Sequence, residues 1–200
     1  MYIFKTLSNG IRVVAEKIDY LKSISIGVWV GNGSRYETAE ENGISHFIEH
    51  MVFKGTKYRS ADEIALAIDS VGGQINAFTA REYTCFYTKT LDEQAELAMS
   101  ILSEMIFEPA LTNEDMEKER SVIKEEINLY EDCPEELVYD LLSEAVWGDT
   151  PMGRPILGTK ESLDAITPDI MRRYMRTHYT NKNIVISVSG SFGDDFFDKL

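Results

Sequence analysis

Basic charge is what this 200-residue chain has least of: 20 Lys and Arg stand against 34 Asp and Glu, a formal net charge of −14. That balance argues against a nucleic-acid partner, because phosphate binding needs a basic field. Cysteine is scarce as well. Cys85 and Cys133 are too few and too far apart for a disulfide framework or a thiolate metal site, so both are expected as reduced thiols. No apolar run approaches the ~20 residues of a membrane span, and the start, Met1-Tyr-Ile-Phe-Lys5, lacks the long apolar core of a signal peptide. The expectation is a protein without a membrane partner, in a bacterial cytoplasm or, as the other compartment, an organellar matrix. No Pro-, Gly- or Ser-rich linker divides the chain, and 44% hydrophobic content suffices for one sizeable core. A single domain over residues 1–200 follows.

Histidine is scarce too, with three in the whole chain, yet two of them fall in one short run, Ser45-His-Phe-Ile-Glu-His-Met-Val-Phe-Lys-Gly55. His46 and His50 lie four residues apart and project from the same side of a helix, with Glu49 one turn from His46. Ile44, Phe47, Ile48, Met51 and Val52 form the apolar stripe of that helix, which leaves the three polar residues on another side. Core packing therefore does not explain them. This is the inverted His-x-x-Glu-His form of the zinc-peptidase signature: two imidazoles hold the metal and the carboxylate moves protons.

A catalytic zinc takes three protein ligands, so a second helix has to supply one more. The segment from Thr112 to Tyr130 opens with Thr112 and Asp115 in capping spacing and carries an apolar stripe at Met116, Ile123, Ile127 and Tyr130. Glu119 and Glu126 fall inside the stripe at 100° per residue, whereas Glu125 points almost the opposite way. A buried carboxylate is costly unless paired or bound to metal. Glu126 is thus the expected third ligand and Glu119 a second acid near the site.

These residues resemble the pitrilysin-type (M16) zinc metallopeptidases. The likeness rests on His46-Phe-Ile-Glu49-His50-Met-Val-Phe-Lys-Gly-Thr56 and on Glu126, which follows His50 by 76 residues. It extends to Gly72-Gly-Gln-Ile-Asn76-Ala-Phe-Thr79, to Glu119-Arg120 with Glu125-Glu126, and to Gly153-Arg-Pro-Ile-Leu-Gly158-Thr159. The bacterial processing proteases similar to the mitochondrial processing peptidase catalytic subunit are the nearest in pattern. The resemblance implies one zinc ion held by His46, His50 and Glu126, Glu49 as general base, and Glu119 as a supporting acid. It also implies an edge strand around Gln74 to Ala80 on which Asn76 and Ala77 align an extended peptide by main-chain pairing. Arg81, Glu82 and Tyr83 read as plain turn and strand residues.

The remaining pattern alternates strands and helices. Strands are expected over 2–6 and 11–17, flanking the Asn9-Gly10 hairpin signal, and over 23–30, 74–79, 82–90 and 183–189. Helices are expected over 61–71, 92–107, 112–130, 135–146 and 168–177, with a last one starting near Gly193 and cut short at Leu200, as in a fragment. The fold class is α+β, a mainly antiparallel sheet covered by helices. The acidic charge favours Lys- and Arg-rich peptides through long-range attraction. In the resembled family two or more such halves close around the substrate and the second supplies an arginine and a tyrosine. The expected partners are therefore a peptide and a second M16-type half, in the same chain, a homodimer or a heterodimer. A metal-free assembly subunit and a zinc-stabilised peptide-binding module are the alternatives to a zinc endopeptidase.

Overall fold

Asn9-Gly10 closes the first hairpin as expected. In the computed structural model, which describes residues 2–199, Gly10 takes φ 93°, and β1 (Tyr2–Thr6) pairs antiparallel with β2 (Arg12–Lys17). Four more strands complete one sheet: β3 (Ser23–Val30), β4 (Gln74–Thr79), β5 (Thr84–Leu91) and β6 (Ile184–Gly190). Their order is β1-β2-β6-β3-β5-β4, and every neighbouring pair is antiparallel except β2 with β6. The expected mainly antiparallel α+β class is observed, with β4 at one edge.

Side chains alternate across a strand, and here the alternation separates two unlike faces. Ile24, Ile26, Val28 and Val30 of β3 join Phe86 of β5 and Ile184, Ile186 and Val188 of β6 in the buried core. The opposite face carries a cluster of rings, Trp29, Phe78, Tyr83 and Tyr87, with centroids 5.5 to 6.3 Å apart. Trp29 Nε1 donates to Ser187 Oγ across that face at 2.8 Å.

The helices follow in chain order: α1 (Ile44–Val52), α2 (Ala61–Asp69), α3 (Ala95–Phe107), α4 (Asn113–Glu131), α5 (Pro134–Trp147), α6 (Lys160–Ala165), α7 (Pro168–His178) and α8 (Phe196–Lys199). No helix among the described residues is long and apolar enough to cross a membrane. Ser60 and Glu63 start α2 with a full capping box, and Gly72 at φ 65° follows its end. Among the departures from expectation, two boundaries and one added helix have local reasons. The helix over 92–107 begins as a 3-10 turn and becomes α only at Ala95. The strand expected from residue 82 begins at Thr84, because Ala80 N–H donates to the Tyr83 carbonyl and closes a tight turn over Arg81 and Glu82. The unanticipated α6 has six residues, too few for periodicity to show, and is started by a reciprocal Thr159–Ser162 cap.

The expected stripe of α1 is buried to the last residue: Ile44, Phe47, Ile48, Met51 and Val52 are each at most 1% exposed. Burial of such side chains stabilises by about 1.5–3 kcal/mol each, which fixes α1 against the sheet. Its start is fixed by backbone contact. Gly43 (φ 90°) and Gly158 (φ 79°) lie against each other's loops, and a Cβ on either would meet the Leu157 or the Asn42 carbonyl oxygen at 2.6 Å. Only glycine meets both demands, left-handed backbone and no side chain. Gly158→Ala is therefore expected to cost about 2 kcal/mol or more, and Gly10→Ala, at a positive φ in open space, only about 1 kcal/mol. The midpoints of urea unfolding of the two variants check this.

Candidate metal centre

Helix α1 packs between α4 and the edge strand β4, and the polar side of α1 meets both. His46, His50 and Glu126 come together there, with one ligand atom of each within 4.8 Å of the others. Glu126 Oε2 stands 3.8 Å from His46 Nε2 and 3.5 Å from His50 Nε2. Ligands arranged tetrahedrally about zinc at 2.0–2.2 Å stand roughly 3.3–3.5 Å apart, and both Glu126 distances lie within a few tenths of an ångström of that spacing. Two imidazole nitrogens and one carboxylate oxygen also match the chemistry of such a site.

The residues around this group orient it. His50 Nδ1 lies 3.1 Å from Glu119 Oε2; with Nδ1–H given to Glu119, Nε2 is the ring nitrogen that faces Glu126 Oε2, 3.5 Å away. Glu119 is buried, 6% exposed, and also accepts from Lys54 Nζ at 2.8 Å, so its charge is paired as burial requires. Glu49 Oε2 accepts a 2.5 Å hydrogen bond from Thr79 Oγ1 of β4. Glu125 is exposed on the far side of α4, as its helical angle requires.

The titratable groups are pushed in opposite directions. Burial lowers the His46 pKa to about 4, helped by the neighbouring His50. His50 is raised: burial works against its charge, but the hydrogen bonds to Glu126 and Glu119 outweigh it. Glu126 is lowered, first by its hydrogen bond to His50. Glu49 is raised by burial, against the pull of the Thr79 hydroxyl.

Asn76 and Ala77 lie on β4 as expected, but on different faces. Ala77 is buried toward α1 and Asn76 is exposed. The Ala80–Tyr83 bond sets the alternation of the ladder, so the main-chain groups of Ala77 and Thr79 face the open edge. The Ala77 N–H is held there by Asn76 Oδ1 at 2.8 Å. Arg81, expected to be a plain turn residue, does more. Its Nη1 donates to the Arg154 carbonyl at 2.7 Å, and its Nη2 to Asp140 Oδ1 at 3.1 Å and Ser143 Oγ at 2.9 Å. It ties the β4–β5 turn to α5 and to the loop after it. Its partners lie 59 to 73 residues away, and no local pattern announces them. Thr79 was legible in principle, since it falls two residues after Ala77 and so shares its face. Beside this wall a groove of about 670 Å³ is lined by Ile127, Asp140, Leu141, Glu144, Arg154 and Leu157, among others.

Residues 12–160 match the family model described as Insulinase (Peptidase family M16). The chain belongs to peptidase family M16. Among its M16 relatives, an uncharacterized zinc protease of Bacillus subtilis, YmxG, is 50% identical over 191 residues, covering 96% of this chain and 47% of the relative. One of Streptomyces coelicolor is 43% identical over 186 residues, covering 93% of this chain and 40% of the relative. The chain thus spans about half the length of these relatives. A solved protease from Helicobacter pylori has the same fold, with a TM-score of 0.93 at 24% identity over all of this chain and 49% of that one. So does an inactive M16 domain from Pseudomonas fluorescens, with a TM-score of 0.90 at 15% identity over 96% of this chain and 47% of that one.

In the metal-free M16 chain, NMR titration of the imidazoles should place His46 near pH 4 and His50 above its ordinary 6.5. The unfolded chain binds the His46 proton near pH 6.5, so the stability contributed by neutral His46 is lost as pH falls from 6.5 towards 4. The His50 contribution runs the other way and is lost as pH rises above 6.5.

Proposed function

We propose that this chain is the zinc-holding, catalytic α+β half of an M16 endopeptidase that cleaves extended, basic peptides. The observation that carries the reading is the convergence of His46, His50 and Glu126 from two helices, with Glu49 beside them at an open strand edge. His46 Nε2, His50 Nε2 and the Glu126 carboxylate would hold the ion. When bound, zinc supplies Lewis-acid polarisation of the scissile carbonyl and a more acidic water.

The chain's own side chains do the rest. Glu49 takes a proton at its carboxylate and returns it to the leaving amine, a role suited by a pKa raised through burial. The Thr79 hydroxyl holds that carboxylate in one orientation. Glu119 keeps the His50 ring turned so that Nε2 faces the ion. A substrate laid along β4 would pair with the Ala77 carbonyl and the outward main-chain groups of Thr79, and Asn76, whose Oδ1 holds the Ala77 N–H, has its Nδ2 to offer a peptide carbonyl. The net charge of −14 and the Glu131, Glu144 and Glu161 lining of the adjacent groove favour cationic peptides.

A second M16-type half, in the same chain or a separate subunit, is the proposed partner, because this chain spans about half the length of its relatives. The 200-residue chain alone would then bind zinc but cleave poorly, since nothing encloses the substrate. A non-catalytic zinc-stabilised peptide-binding or assembly subunit is the second reading. It is favoured by one observation: a domain described as inactive has the same fold. The complete His46, Glu49, His50 and Glu126 set supports the peptidase.

Metal analysis beside peptide cleavage by the full-length protein distinguishes these. Glu49→Gln should keep its zinc while cleavage falls by roughly 100-fold or more; cleavage at the unsubstituted rate removes Glu49 from the mechanism. Glu126→Gln should weaken zinc by more than the ~10–100-fold typical of losing a supporting group, and unchanged occupancy would remove it as the third ligand.

A further inference from the structure

Helix α1 begins with no cap of its own. Gly43 occupies the cap position and has no side chain with which to accept a hydrogen bond, although the first turn of any helix leaves N–H groups unsatisfied. The acceptor comes from six residues upstream. Glu37 Oε2 accepts from Gly43 N at 2.8 Å, and Glu37 Oε1 accepts from Ser45 N at 2.9 Å. Asn42 Nδ2 donates to the same Oε2 at 3.1 Å and to the Pro155 carbonyl at 3.0 Å. Glu37 is 2% exposed. A carboxylate so deeply buried is costly unless hydrogen-bonded, and this one receives three N–H groups at the positive end of a helix.

We infer that Glu37 is a positioning residue for the metal centre: it fixes the first turn of α1, and through that turn the place of His46. The inference rests on the proposed zinc site and adds to it the device that holds its first ligand. Ser45 N, one of the bonded groups, immediately precedes His46, so any fraying of the first turn displaces His46 before it reaches His50 one turn later. The hydrogen-bonding pattern requires a carboxylate. Both oxygens accept, so a glutamine in this position would turn an N–H₂ group toward an N–H donor. The same residue also governs the loop against which α1 begins, since Asn42 bridges Glu37 to Pro155 and the Asn42 carbonyl accepts from Ser162 Oγ at 2.7 Å. Sequence pattern alone did not reveal Glu37, because a glutamate six residues before an uncapped glycine matches no capping motif.

The test uses the full-length protein, with zinc affinity measured by chelator competition and cobalt(II) spectra reporting ligand geometry. Glu37→Gln is expected to weaken zinc roughly 10–100-fold and to change the cobalt visible spectrum. Val13→Ala, a cavity in the buried face of β2, serves as the control: it should lower the metal-free melting temperature while leaving affinity and spectrum as they were. Wild-type affinity and spectrum in Glu37→Gln would overturn the inference, as would an equal change in Val13→Ala. If Glu37→Gln does not fold, Asn42→Ala, which removes one of the three donors, should weaken zinc a few-fold and shift the spectrum; no change there also overturns it. Unsubstituted protein that takes up no zinc would overturn the metal site itself, an outcome distinct from zinc uptake with an indifferent Glu37.

Discussion

The burial of one side of α1 is the constraint on which the rest of the site depends. Phe47, Ile48, Met51 and Val52 are sealed in the core, which leaves the helix no freedom to rotate and fixes the direction of His46, Glu49 and His50. The neighbours of α1 are set by the same packing. The Arg120 guanidinium of α4 lies 5.5 Å from the Phe47 ring centroid and donates to the Ile166 carbonyl at 2.9 Å. That contact holds α4 in the register at which Glu119 reaches His50 and Glu126 reaches both imidazoles. On the other side the sheet order leaves β4 at an edge, so that Thr79 can bond Glu49 while the strand's outer main chain stays open.

The electrostatics follow from this crowding. In this partly buried space burial drives His46 neutral, with the help of His50, and raises Glu49, while the hydrogen bond to His50 lowers Glu126. Lys54 supplies a cation to balance buried Glu119, which permits that acid to turn toward His50. A neutral His46 is the state in which an imidazole can hold a metal ion, whereas His50, raised by its carboxylate neighbours, has to release the Nε2 proton first.

Much of this was legible in the sequence because it is local. The His46, Glu49 and His50 spacing, the stripe of α1, and the choice of Glu126 over Glu125 follow from 100° per residue and need no knowledge of the fold. The Asn9-Gly10 hairpin and the Gly72 helix stop are likewise properties of a few adjacent residues. What escaped was non-local or too short to be periodic: α6, the Arg81 tie to α5, the Thr79 contact with Glu49, and Glu37 capping a helix it does not adjoin.

The sequence by itself therefore determined which side chains could hold a metal and which face of each helix they occupy, because helical and strand periodicities are fixed by backbone geometry. Only the tertiary structure decided which faces meet, which strand is left at the edge, and which distant residues hold the site in place. Those outcomes depend on packing among segments far apart in the chain, where the same local pattern is compatible with many partners and burial selects one.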